Sequence, residues 1–192
     1  MRGHELPLAL VEERGPHGFT LAEACRRAGV SAAAPYKHFA DRDALLASLA
    51  LKGYQEQQRR YRAALALSDE PAEQLAAFAA AYVRFAAEER ALFDITFLAG
   101  LDTGRHPELA AAGTVLHDDL MPVTSLLTAT PTEAFDLLVQ VAAAAHGLAL
   151  FQQQGMLPSP WNTPRSVTEQ AARAARALAD RHARQQQHRS HS

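Results

Sequence analysis

A single cysteine, Cys25, stands in 192 residues. One thiol excludes an intramolecular disulfide framework and fits a reducing cytoplasm. Long apolar stretches are missing as well: no uninterrupted run reaches the roughly 18–20 residues of a membrane span. The opening Met1-Arg2-Gly3-His4-Glu5 lacks the apolar core of a signal peptide. The expectation is a cytoplasmic protein without a membrane partner. Aromatic residues are scarce at 7% and β-branched residues few, while alanine is the commonest type, a balance that favours helix over strand. A large excess of one charge is also lacking, since the net is −2, so the whole chain is no polycation. Its charge is nevertheless unevenly spread. Residues 1–65 hold ten Arg/Lys against seven Asp/Glu, and residues 66–192 hold nine against fourteen. A basic first third on an acidic remainder points to one end meeting a polyanion.

Catalytic signatures are absent too. No G-x-G-x-x-G or P-loop offers a cradle for nucleotide phosphates, and no H-E-x-x-H offers a zinc site. None of the nine histidines follows an acidic residue at the Glu-x-x-His spacing of di-iron bundles. No G-x-S-x-G marks a nucleophile. The sequence thus predicts no catalytic residues, no metal and no cofactor, and a protein that is not an enzyme.

What is present reads as helices separated by breakers. Leu6–Arg14 is a short helix ended by Gly15-Pro16-His17-Gly18. Thr20 is a good N-cap, with Glu23 completing a capping box for a helix over Leu21–Ala28. Gly29 stops it, and Ser31 caps a third helix from Ala32 to about His38. Asp41 caps a long helix reaching about Ala66, and Ser68-Asp69-Glu70-Pro71 closes that stretch. Further helices are expected from Pro71 to about Ala87, over Glu89–Leu101, and from about Glu108 to Leu127. Two more run over Thr132–Gln154 and Arg165–Gln187, and the tail from 188 to 192 should fray.

The pair of short helices over residues 20–39, joined by a glycine-containing turn, has helix-turn-helix spacing. Such a motif lays its second helix in the DNA major groove. Ala32, Ala33 and Ala34 would let that helix approach closely, and an alanine methyl can meet a thymine methyl. Tyr36, Lys37 and His38 carry groups able to reach phosphates.

The run Ala28-Gly29-Val30-Ser31, followed by Tyr36, His38, Phe39, Arg42, Asp43 and Leu45, closely resembles the DNA-binding domain of the tetracycline-repressor-like (TetR) family over about residues 6–52. The resemblance implies that Thr20, Tyr36, Lys37 and Arg42 hold phosphates, Arg42 standing where lysine is usual. It implies that residues 32–34, with Lys37 and His38, face the bases, and Ser31 at the start of that helix belongs to the same DNA-binding set. Only Arg2 precedes Leu6 as a basic arm. Ala81-Tyr82-Val83-Arg84-Phe85-Ala86, then Ala91-Leu92-Phe93 and Phe97, resembles the first effector-domain helices of one branch of the family. Ala145-His146-Gly147-Leu148-Ala149 is similar to that branch's His-Gly signature, without the tryptophan that usually precedes the pair.

The fold so implied is all-α. A three-helix helix-turn-helix domain over residues 1–52 is joined by a long helix to a helical-bundle domain over 53–187. That second domain would bind a small-molecule effector and form a homodimer, which would place two recognition helices on palindromic double-stranded operator DNA. Phe78, Tyr82, Phe85, Phe97, His117, Met121 and His146 are the pocket candidates, apolar residues with a few polar groups among them. Leu137, Leu138, Val141, Leu148, Ala171, Ala175 and Leu178 are the dimer candidates. The function implied is a ligand-responsive regulator, most simply a repressor. Two alternatives stay open: a small helical-bundle enzyme or binding protein, and a protein-interaction adaptor whose helix-turn-helix no longer binds DNA.

Overall fold

Helix starts explain much of the architecture. In the computed structural model, which describes residues 5–27 and 39–190, eight helices are seen. They are α1 (Glu5–Arg14), α2 (Leu21–Arg27), α3 (Arg42–Leu65), α4 (Pro71–Glu88), α5 (Arg90–Leu98), α6 (Pro107–Ser125), α7 (Pro131–Gln153) and α8 (Pro164–Ser190). Proline opens four of them, the position where its missing N–H costs nothing and its fixed φ is already helical. Asp41 caps α3 by accepting from the Ala44 amide at 2.8 Å. Thr130 caps α7 by accepting from Glu133, whose carboxylate accepts in return from the Ala129 amide at 3.0 Å. Gly15 ends α1 and Gly155 follows α7, both at positive φ, a conformation glycine adopts without steric cost. No strand occurs among the described residues; the fold is all-α, as expected.

Two compact units share these helices. The first takes residues 1–56 and 89–113, hence α1, α2, the first part of α3, α5 and the start of α6. Its core gathers Leu10, Val11, Phe19, Leu21, Leu45, Leu46, Leu49, Ala91, Ile95 and Leu109. Gly53 lets α3 and α5 approach closely: a Cβ there would stand 2.4 Å from the Thr96 hydroxyl. Arg105 reaches back to Asp41 at 3.0 Å. With the Ala44 amide first and Arg105 second, the Asp41 carboxyl is held below its usual pKa.

The second unit takes residues 57–88 and 114–192. Here α4 packs against α7 and α8, and α7 against α8. The inner face of α8 is a ladder of small side chains, Val167, Ala171, Ala175 and Ala179, each at most 1% exposed. Four-residue spacing puts them on one face, and small side chains let α8 lie close on its neighbours. Arg176 makes a bidentate pair with Glu73 at 2.6 and 2.8 Å.

α8 runs to Ser190, and Arg189 near its end pairs with Glu133 on α7. Although the sequence has no uninterrupted apolar run of span length, α7 is long and apolar enough to cross a membrane by length and composition. Scattered Asp136, Gln140 and His146 break the run without making the helix polar.

Candidate functional site

The N-terminal site begins with Thr20. Its hydroxyl accepts from the Glu23 amide at 3.2 Å, which starts α2, and the residue is exposed. Arg42, the first residue of α3, lies over the Phe19 ring at 6.0 Å from guanidinium carbon to centroid. Its Nη2 meets His17 Nδ1 at 3.1 Å. These contacts fix the guanidinium at the capped start of α3. Other basic groups near α2 are engaged by acidic ones: Arg27 with Glu13 at 2.7 Å and Arg14 with Glu23 at 2.7 Å. Ser31, Ala32, Ala33, Ala34, Tyr36, Lys37 and His38 lie outside the described residues.

The second site is an aromatic cluster in the second unit. Tyr82 on α4 is 3% exposed, and its hydroxyl lies 2.8 Å from Nδ1 of His146 on α7. Tyr61 stacks on Tyr82 with ring centroids 5.8 Å apart, and Phe78 meets Tyr61 edge-on at 4.9 Å. Burial lowers the pKa of His146, so at neutral pH the ring is uncharged and Nδ1 can accept from the Tyr82 hydroxyl. Burial and the neighbouring Tyr82 raise that of Tyr61 well above its ordinary value, so the Tyr61 phenol stays protonated. Gln57, one turn before Tyr61, is buried, and its Oε1 accepts from the Tyr61 hydroxyl at 3.5 Å. Its Nε2 has no hydrogen-bond partner among the described residues. A buried donor left so costs about 1–3 kcal/mol.

The structure thus brings Phe78, Tyr82 and His146 together, with Phe85 fully buried on the same helix. Phe97 lies on α5 in the first unit, its ring 4.9 Å from Phe93. His117 pairs with Asp118 at 3.2 Å and sits near the Phe135 ring at 5.8 Å, with its side chain 44% exposed. Met121 is half-buried on α6. Gln57 and Tyr61 are the members that sequence reasoning missed. Their signal was available: Leu46, Ala50, Gly53, Gln57, Tyr61 and Ala64 recur at three- and four-residue steps, the spacing of one helix face.

The dimer candidates divide. Leu137, Leu138, Val141, Ala171 and Ala175 are buried by their own chain. They hold α7 and α8 in the bundle. Leu148 and Leu178 are half-buried. The opposite face of α7 carries Phe135, Val139, Ala143, Gly147 and Phe151 at four-residue steps, with the three large ones 45–48% exposed. A Cβ added at Gly147 would meet nothing within 4 Å.

Comparison with known proteins agrees with this architecture. Residues 8–49 match the family described as bacterial regulatory proteins, tetR family. Residues 75–178 match the tetracyclin repressor-like C-terminal domain. No curated protein matches the sequence. Among solved structures, a protein of unknown function from Rhodococcus sp. RHA1 is 28% identical, with TM-score 0.71 over 92% of this chain and 95% of that one. A tetR-family regulatory protein from Rhodococcus RHA1 gives TM-score 0.73 at 17% identity, covering 93% and 95%. AibR, solved in complex with isovaleryl coenzyme A and operator DNA, gives 0.71 at 16%, covering 90% and 96%. These last two likenesses are of fold. With the C-terminal match alone spanning more than half its length, the chain belongs to the tetracycline-repressor-like family of bacterial regulatory proteins, which are DNA-binding regulators and not enzymes.

Proposed function

We propose that this chain is a ligand-responsive transcriptional repressor that binds a palindromic operator as a homodimer in the cytoplasm. A small apolar or amphipathic effector would release it. One observation carries the effector reading. Inside an apolar bundle, a tyrosine–histidine pair lies on the same aromatic cluster as the unpartnered amide nitrogen of buried Gln57. Ligand sites in helical domains are of this kind, mostly apolar with a few convergent polar groups. The His146–Gly147 pair, which resembles the signature of one family branch, supplies half of the polar contact. That a protein of the same fold, AibR, is known with an acyl thioester and operator DNA supports the reading by analogy of fold.

The two-fold partner would sit on α7. A helix apolar on all sides is normally buried on all sides, and here only one side is covered by the chain itself. The exposed stripe Phe135–Val139–Ala143–Gly147–Phe151 is that second side, with Gly147 permitting close approach of the other copy. Selection of duplexes from a random DNA pool by the full chain tests the reading. The expected product is a two-fold symmetric motif whose half-sites are about one helical turn, 34–36 Å, or a multiple of it apart. Recovered duplexes without two-fold symmetry would refute the repressor reading.

A further inference from the structure

Three helices of the second unit meet at the aromatic cluster: α3 brings Gln57 and Tyr61, α4 brings Phe78 and Tyr82, and α7 brings His146. Among the described residues, one buried polar atom of this cluster goes unmatched. Tyr82 and His146 hold each other at 2.8 Å. The Tyr61 hydroxyl donates to Gln57 Oε1 at 3.5 Å, the outer limit of a hydrogen bond. The amide nitrogen of Gln57, a residue only 2% exposed, has no partner. A methionine would fill nearly the same volume without burying an unmet donor, so the long contact with Tyr61 does not account for a glutamine at this position. His146 is half-buried, which brings one side of the cluster to the surface of the unit.

We propose that the effector is an uncharged carbonyl compound with a flat apolar body, and that the Gln57 amide is the donor that recognises its carbonyl oxygen. This rests on the reading of the Tyr82–His146 cluster as the effector site. Three observations select the class. First, an amide N–H needs an acceptor, and a carbonyl brings lone pairs alone. A hydroxyl would bring a donor of its own that also has to be satisfied among apolar walls. Second, the cluster offers an anion no countercharge. Burial keeps His146 uncharged and the Tyr61 phenol protonated, and Arg60 on α3 is engaged by Glu88 at 2.6 Å. An ionised group costs far more to bury in such surroundings than a neutral one. Third, Tyr61, Phe78 and Tyr82 present rings in stacked and edge-on arrangements, which suit a planar ligand body. Gln57 is thus a specificity-determining residue, since an analogue without the carbonyl leaves its amide as unmet as before.

Titration of the full chain, followed by NMR, tests the proposal with three probes of similar size. Acetophenone has the carbonyl, isopropenylbenzene has the same shape with a methylene in place of the oxygen, and benzoate has the charge. Acetophenone should bind at least about fivefold more tightly than isopropenylbenzene, the low end of what a buried donor gains with its partner, and benzoate should bind most weakly. The double variant Gln57→Met/Tyr61→Phe removes both members of the long contact at nearly constant volume. It should melt no earlier than the parent, because replacing both partners by apolar groups of the same shape is close to neutral. It should also bind acetophenone and isopropenylbenzene equally. Equal binding of those two by the parent overturns the proposal while leaving the cluster a ligand site. Binding of none of the three at millimolar concentration overturns it together with the reading it rests on. The proposal also falls if benzoate binds best, or if the double variant keeps the preference for acetophenone. A double variant much less stable than the parent would make Gln57 a structural residue and overturn it as well.

Discussion

The hydroxyl of Tyr82 and Nδ1 of His146, 64 positions apart in the chain, meet at 2.8 Å in the second unit. Each gives the other a hydrogen-bond partner, and together they tie α4 to α7. A neutral pair of this kind contributes about 0.5–1.5 kcal/mol. Tyr82→Phe should therefore cost about 1 kcal/mol, leaving a half-buried imidazole that water can still reach. His146→Phe should cost more, about 1–3 kcal/mol, because it takes an acceptor away from a hydroxyl that is nearly fully buried. Both variants should bind operator DNA nearly as the parent does, yet fail to release it with the natural effector. Urea midpoints and DNA shifts with and without effector measure the two effects. Normal release by both variants would remove the pair from the effector site.

Acid should weaken the second unit in a defined window. Burial lowers the pKa of His146 below its ordinary 6.5, and burial followed by the neighbouring Arg181 lowers that of His182. An unfolded chain then takes up these protons before the folded one does, so stability is full above about 6.5 and falls as pH drops toward the lowered values. Asp41, Glu73 and Glu133 shift downward as carboxylates, through backbone or arginine partners, and their loss comes lower, as pH falls below about 4.5. Urea midpoints measured every half unit from pH 7.5 to 5 should decline, and less steeply in His146→Phe. An equal slope in both proteins would show that His146 titrates as an unburied residue.

Helix boundaries were legible because caps and breakers act locally. Pro71, Asp41 and the Gly15-Pro16-His17-Gly18 cluster each announce a helix end within one turn. Tyr82 and His146 were legible as partners because each sits on an apolar stripe. What the sequence hid was long-range. Nothing local tells that Ala91 and Ile95 complete the core around Leu10 and Leu46. The covered face of α7 was hidden for a related reason. On a helix apolar all round, Leu137 and Val141 look no different from Phe135 and Val139, and only packing against α4 and α8 decides which pair is covered.

That distinction yields a paired test. Val139→Glu puts a charge on the exposed stripe and should leave the protomer folded while shifting sedimentation from dimer to monomer. Leu137→Glu puts the same charge at a fully buried position and should unfold the second unit, since an unpaired buried charge carries a penalty of several kcal/mol. A Val139→Glu variant that remains dimeric at micromolar concentration would move the two-fold contact away from α7.

Close approach at Gly53 can be tested by filling it. In an open helix, glycine to alanine gains about 0.5–1 kcal/mol. Here the new methyl would sit 2.4 Å from the Thr96 hydroxyl, which already donates to the Leu92 carbonyl at 2.7 Å. Gly53→Ala should therefore destabilise by about 1–3 kcal/mol, the usual cost of overpacking. Thr96→Ala in the same chain should recover most of that loss, because it removes the atom in the way. If the double variant is no more stable than Gly53→Ala alone, α3 and α5 are not held together at this point.

The DNA contact assigned to Arg42 has its own signature in salt. Stacked on Phe19 and beside His17 at the start of α3, the guanidinium is already ordered, so little further entropy is lost when it meets a phosphate. Arg42→Ala should weaken binding to the selected operator and to random duplex alike, because a phosphate contact carries no base information. The slope of log affinity against log salt should fall by about one per contact, hence about two for a dimer. Arg42→Lys should keep the slope, since the charge remains, while losing the bidentate geometry and some affinity. An Arg42→Ala slope equal to the parent's would mean that Arg42 serves the fold through Phe19 and touches no phosphate.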